Sequence, residues 1–338
     1  MRHIYLTVDT ECHDLQKANL YIYGKRRNEF WGIRKILELA KEEKIPVNFF
    51  VDVGECKKYG ELFVKELVET IHSYKQPVYF HLHPEYISGD YDRTFLWEYS
   101  YDEKEKIILE AIEIYKKYSD ISDKLIFRAG RYGVDHEVYD ILSKLGKQTL
   151  DLSYVYNSSK MCHFYESEIC VQNVSTEYKN IIIFPNTRFI AFDYFGKKKC
   201  VGLDSADATM NEFKRFIKET NLNNVVWTMH SWNFIIKWFF SSTYFRGDKA
   251  MVKKFRRSVA CARQQGFIFS DLADFSYVQE NDEIVNLCDN FSGKLMGIIN
   301  NFNRFRKIGR LNKKYFIIYT FFYVAFFSMI VFCLKIVL

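Results

Sequence analysis

The sequence predicts an α/β fold, a mostly parallel sheet or (β/α) barrel, followed by a C-terminal transmembrane helix. Three observations predict it. Short apolar runs alternate with stretches at helical spacing through most of the 338 residues. Four polar clusters stand where apolar runs end: Thr7-Val8-Asp9-Thr10-Glu11, His81-Leu82-His83-Pro84-Glu85, Arg128-Ala129-Gly130-Arg131-Tyr132-Gly133 and Trp227-Thr228-Met229-His230-Ser231-Trp232. Residues 315–334 hold no charge, Pro or Gly.

Residues 4–8 read as a buried strand. Residues 30–43 are helical, with Ile33, Ile36, Leu37 and Ala40 on one face, and Pro46 ends the helix before a strand at 47–51. Residues 62–71 are helical again, and Pro77 opens a strand at 78–80. Residues 103–118 carry Ile107, Ile108, Ala111, Ile114 and Tyr115 along one side of a helix. A strand at 125–127, a helix at 137–145 stopped by Gly146 and a strand at 149–152 follow. The stretch 153–200 is less regular, with a strand expected at 180–184 and another at 200–203. A helix at 209–220, a strand at 225–228, a helix at 249–264 and a strand at 267–269 complete the body. Apolar strands that alternate with helices imply a parallel sheet covered on both faces. In such sheets the chemistry gathers at the C-terminal ends of the strands, where all four clusters fall.

The formal net charge of +6 is local. Arg304, Arg306, Lys307, Arg310, Lys313 and Lys314 crowd one stretch, and without them the chain is near neutral, so the basic balance does not argue for nucleic acid. Eight cysteines are scattered without a CxxC pair, which argues against a zinc ribbon. With no secretory signal read at the start, free thiols favour a reducing compartment. At 1.5 Å per residue, 315–334 reaches about 30 Å, the thickness of a bilayer's hydrocarbon core. The basic stretch before it predicts a cytoplasmic body on a single-pass anchor and suits anionic headgroups. The expected organisation is a catalytic domain over 1–276, a polar and basic connector over 277–314 and a transmembrane helix over 315–334.

Asp9 and Glu11 are two apart on an extended segment, so both carboxylates address one side. One can bind a metal while the other takes a proton from water. His81 and His83 likewise share a side, and imidazole suits zinc. With Glu11 they make three protein ligands and leave room for water; Glu85, Cys12 and His13 are rivals for that set. Arg128 can orient Asp9. His230, at a late strand end, can protonate a leaving amine, and Asp151 can hold its imidazole in the working tautomer.

This set resembles the polysaccharide deacetylase family, carbohydrate esterase family 4, over about residues 3–275. The carboxylate pair after the first strand, the Val47-Asn48-Phe49-Phe50-Val51 strand, the His81/His83 pair, the Phe127-to-Gly133 motif, Asp151-Leu152-Ser153 and His230 carry the resemblance. Here Thr10 separates two carboxylates that many members hold adjacent, and the histidines are two apart rather than four. The resemblance implies a distorted (β/α) barrel and a metal-dependent hydrolase that removes an acetyl group from an N-acetylated sugar. It further implies a divalent metal, Zn2+ first, on Glu11, His81 and His83, with Asp9 as base steadied by Arg128 and His230 as acid. The substrate is expected to be a glycan or glycan intermediate, lipid-linked or nucleotide-linked, at the membrane. Two alternatives stand: a metal-free hydrolase of small amides on the same fold, and a non-catalytic membrane module that binds a glycan or partner through the 153–200 region.

Overall fold

The structure, a computed structural model, describes residues 1–12, 18–119, 124–156, 158, 160–164, 171–194, 196–237 and 245–309. The span expected at 315–334 and His13 lie outside these residues. Among the described residues no helix is long and apolar enough to cross a membrane.

The chain forms two units. The first comprises Met1–Phe189, Cys200–Ile236 and Phe245–Val285 and holds a nine-stranded sheet. Its strands are β1 Arg2–Thr10, β2 Asn48–Asp52, β3 Val78–Leu82, β4 Lys124–Ala129, β5 Gln148–Asp151, β6 Thr176–Tyr178, β7 Ile181–Ile183, β8 Asn224–His230 and β9 Phe267–Phe269. They lie in the order β8-β1-β2-β3-β4-β5-β7-β6, with β9 paired to the first residues of β1. The pairings are parallel except for β6, which runs antiparallel to β7. The longer helices are α1 Ile33–Glu43, α2 Glu61–Ser73, α3 Tyr101–Tyr115, α4 His136–Ser143, α5 Met210–Glu219 and α6 Lys249–Gln264.

Every residue of β2 and β3 is buried, which is why these strands read as unbroken apolar runs rather than alternating ones. Phe50, Tyr79, Ile126, Leu150, Phe184 and Phe275 pack in one cluster. Three features differ from the sequence reading. Glu29 and Phe30 form a short antiparallel rung with Lys25–Arg26, so the first helix starts at Ile33. A short helix over Pro84–Ser88 follows His83 directly, with Pro84 at its first position, where the missing N–H costs no bond. The strand expected at 200–203 is seen over Lys197–Gly202, outside the main sheet.

The expected barrel is open at one seam. Among the described residues no ladder joins β7 to β8. Single bonds bridge the gap instead: Leu203 N to Thr187 O (2.7 Å), Thr228 N to Leu203 O (3.0 Å) and Ser205 N to Thr228 O (2.8 Å). Pro185, just past β7, has no N–H with which to continue the ladder.

A second device positions β1. Its first residues pair with β9 and its last with β2, so the partner changes midway along one edge. Asn48, fully buried, fills the changeover. Its Nδ2 donates to Leu6 O and Ser270 O, both at 3.1 Å, and its Oδ1 accepts from Leu272 N at 2.8 Å. The second unit comprises Ile190–Lys199, Lys237–Tyr244 and Asn286–Leu338. Its described part includes a helix over Phe291–Gly309, α7, and a Leu287 N to Ile190 O bond of 3.0 Å.

Asn48→Ala strands two buried backbone groups, Leu6 O and Leu272 N, and one part-buried one, Ser270 O. It is expected to lower unfolding stability by about 2–4 kcal/mol, read as a shifted urea midpoint with unchanged slope.

Candidate active site and metal centre

Four strand ends carry the site. β1 delivers Asp9 and, just past its end, Glu11; β3 delivers His81 and His83; β4 delivers Arg128; β8 ends on His230. Register aligns them. Asp9 pairs with His230 across β1 and β8, Asp52 with His81, and His81 with Arg128. Asp9 is level with Phe50, so the register sets two neighbouring levels: Asp9 with His230, and two residues farther along the strands Asp52 with His81 and Arg128.

Glu11, His81 and His83 are all buried, and one ligand atom from each lies within 4.8 Å of the others. His81 Nδ1 stands 2.9 Å from the Arg128 carbonyl. A carbonyl only accepts, so Nδ1 carries the proton, and the Nε2 lone pair faces Glu11 Oε2 at 3.2 Å. A lone pair aimed at a carboxylate oxygen needs a cation or a proton between them. His83 Nε2 also meets Glu11 Oε2. On its other edge, Nδ1 lies 3.4 Å from Glu85 Oε1 and 2.8 Å from Arg131 Nη1. Arg131 Nη1 can only donate, so as the side chains stand it meets the Nδ1 lone pair; Glu85 Oε1 is the acceptor on that edge for an Nδ1–H once Nε2 serves a metal. Glu85 supports the trio rather than joining it, and Arg131 holds Glu85 at 2.7 Å. One carboxylate and two imidazoles with buried second partners fit a divalent cation of the zinc type.

Charge balance around the trio is tight. Burial would raise the Glu11 carboxyl, but His83 and then His81 hold it well below the usual range. Burial would depress the His83 imidazole, but Glu11 holds it well above its usual range. Two more carboxyls, unforeseen in the sequence, lie behind them. Burial pushes Asp52 up to about 7. Burial, with Asp52 beside it, keeps Glu55 well above the carboxylate range. Asp52 Oδ1 accepts from Gly54 N at 3.0 Å, and Glu55 Oε1 accepts from Cys12 N. Cys12 itself is buried and gives its carbonyl to the Tyr86 hydroxyl at 2.6 Å.

Arg128 is completely buried. Its Nη1 donates to Asp9 Oδ1 and to Thr7 Oγ1 (3.1 Å), its Nη2 to Asn186 Oδ1 (3.3 Å) and its Nε to Leu152 O (3.2 Å). Asp9 Oδ2 is left on the side of His230, whose Nε2 is 3.9 Å away. The His230 side chain is 27% exposed, so this edge of the site is open while Asp9 is not. The imidazole leans on Trp232, with ring centroids 4.7 Å apart.

The partner expected for His230 was Asp151, and the structure corrects this. Asp151 Oδ2 takes the Tyr139 hydroxyl at 2.5 Å and Ser153 N at 3.1 Å, and Oδ1 takes Ser153 Oγ. The carboxylate beside His230 Nδ1 is Asp204, at 3.9 Å. Asp204 lies on the seam segment, which has no strand pattern to announce it; the polar turn Asp204-Ser205-Ala206-Asp207 was the only signal.

Gly130 makes room for His83. A Cβ there would come within 2.5–2.6 Å of the imidazole. The next two residues, Arg131 and Tyr132, have φ of 53° and 59°, a left-handed pair that turns Arg131 back toward Glu85. A cavity of about 160 Å³ opens beside Glu11 and His83, with Lys58, Tyr86, Tyr91 and Arg131 on its walls.

No family model and no curated protein matches the chain. Among solved structures it is similar to a candidate polysaccharide deacetylase from Mycobacterium smegmatis, at 12% identity and a TM-score of 0.49, covering 83% of this chain and 94% of that one. It is also similar to a family 4 carbohydrate esterase from Streptomyces lividans solved with acetate, at 10% identity and a TM-score of 0.42, covering 80% and 93%. A third is the chitin deacetylase of Colletotrichum lindemuthianum, at 10% identity and a TM-score of 0.41, covering 82% and 89%. Likeness at this level carries no functional weight, and what bears on the chemistry is the side-chain geometry.

Two outcomes follow. Glu11→Ala and His81→Ala are each expected to cut bound zinc at least tenfold, read by elemental analysis of protein loaded with one equivalent. Burial pushes the Asp151 carboxyl up to about 6, so the folded form holds its proton longer than the unfolded chain does. Stability from this group is present below about pH 4 and is lost as pH rises through about 6. Asp151→Asn should remove that part of the decline, read by chemical denaturation at pH 4, 5, 6 and 7.

Proposed function

We propose that the chain is a carbohydrate deacetylase, a hydrolase that removes an acetyl group from an N-acetylated sugar with the help of a divalent cation, zinc first. The observation that carries this reading is the convergence of Glu11, His81 and His83 with an Arg128-held Asp9 and, facing it, His230. The cation, when bound, supplies positive charge that polarises the acetyl carbonyl. Glu11 Oε2, His81 Nε2 and His83 Nε2 would hold it.

The chain's own groups divide the remaining work. Arg128 occupies Asp9 Oδ1 and fixes the carboxylate, so Oδ2 is the oxygen that takes the proton from water. His230 Nε2, opposite, delivers a proton to the departing amide nitrogen. Asp204, 3.9 Å from Nδ1, faces that imidazole as a charge and not through a hydrogen bond. The 3.9 Å separation of Asp9 and His230 exceeds a hydrogen bond, so base and acid are not locked together and both remain addressable from one opening.

The proposal includes a membrane setting for the reaction. Supporting that part are the apolar run at 315–334 and the basic residues before it, which together read as a single-pass anchor with the catalytic unit on the cytoplasmic side. A lipid-linked or nucleotide-linked glycan intermediate fits such a placement. One observation favours a metal-free amidase as the second reading: Glu11 and His83 already balance each other as an ion pair.

Acetate release from N-acetylhexosamine oligomers tests both. Asp9→Asn is expected to lower kcat about 10²–10⁴-fold, and Asp204→Asn about tenfold with KM unchanged. Unchanged turnover in Asp9→Asn would sink the deacetylase reading. Full turnover after exhaustive chelation would select the metal-free one.

A further inference from the structure

Away from the strand ends, the first unit carries an open groove of about 450 Å³ between α1 and α6. Trp31 and Lys35 line it from one side, and Lys249, Lys253, Arg256 and Arg257 from the other. Glu42 is the only acid among the lining residues, and Arg256 takes it at 2.6 Å. Lys35 pairs with Glu38. Among the described residues no carboxylate pairs with Lys249, Lys253 or Arg257.

These three cations are four residues apart, so they share one face of α6 and repel along it. Lys249 also stands in the first turn of the helix, where the helix dipole is already positive. Helix stability alone disfavours the row of three, and Lys249 twice over, and a bound anion relieves the repulsion. The groove's Trp wall is fixed in place: its ring lies against Gly247, where a Cβ would come within 2.0 Å. Lys35 Nζ stands 5.6 Å from the same ring. Both helices return antiparallel to the strands, so their N-terminal ends lie at the end of the sheet where β1 and β8 finish.

We propose that this groove is a phosphate-binding site, for a phosphomonoester or diphosphate carried by a soluble compound or by a lipid headgroup. Several cations on successive helical turns suit an anion with several oxygens better than a single carboxylate. The proposal does not depend on the deacetylase reading.

Isothermal titration of the full chain in detergent, with inorganic pyrophosphate and separately with dihexanoyl phosphatidic acid, tests it. Saturable binding of at least one probe is expected, weakened at least tenfold by combined Lys249→Gln, Lys253→Gln and Arg257→Gln, and about threefold by Lys253→Gln alone. Tighter binding of pyrophosphate assigns a soluble ligand, and tighter binding of phosphatidic acid a headgroup. The triple variant should melt at or above the parental temperature, because it relieves repulsion. Absence of binding by both probes, affinity unchanged in the variants, or a lowered melting temperature would overturn the proposal. So would loss of affinity in His81→Ala, which would put the probe at the strand-end cluster instead.

Discussion

One buried ion pair, Arg128 with Asp9, organises the strand ends. A guanidinium at zero exposure is costly unless its donors are used, and here three elements use them: β1 through Asp9 and Thr7, the end of β5 through Leu152, and the seam through Asn186. The same residue's carbonyl takes the His81 Nδ1 proton. Arg128 therefore aims Asp9 with its side chain and sets the tautomer of His81 with its backbone. Removing it would leave Asp9 as an uncompensated buried charge, a change that typically costs about 3–5 kcal/mol.

Around this pair the protein has assembled more acid than two histidines can balance. Glu11, Asp52, Glu55 and Glu85 all lie within reach of the imidazoles, and only Arg131 answers Glu85 directly. Such an excess is tolerated by keeping protons on Asp52 and Glu55, or by admitting a dication. Gly130 and the left-handed turn after it are the steric counterpart, since they let backbone approach the His83 ring and bring Arg131 round to Glu85.

Much of this was legible in the sequence, and for physical reasons. A strand buried on both faces must be apolar, so Asn48–Asp52 and Val78–Leu82 announced themselves, and polar residues at their ends stood out. Residues two apart share a side, so Asp9 with Glu11 and His81 with His83 followed from spacing. What could not be read was anything set by the seam. Asp204 reaches His230 through an irregular segment held by single bonds, without periodicity to mark it. Asp151, by contrast, sits at a proper strand end and looked like the natural partner, but Tyr139 and Ser153 saturate its oxygens. Asp52 and Glu55 hid for another reason: carboxyls inside an apolar core have no sequence signature apart from their company.

The two carboxyls that flank His230 rest on unequal foundations. Asp9 rides on β1, clamped between parallel ladders, whereas Asp204 rides on the open seam. Gentle warming or chaotrope would therefore blur the donor's aim before disturbing the acceptor's. On the proposed deacetylase reading, compounds whose departing group needs no protonation, such as acetylated phenols, would tolerate that loosening better than sugar amides, and preference would drift toward esters ahead of any global melting.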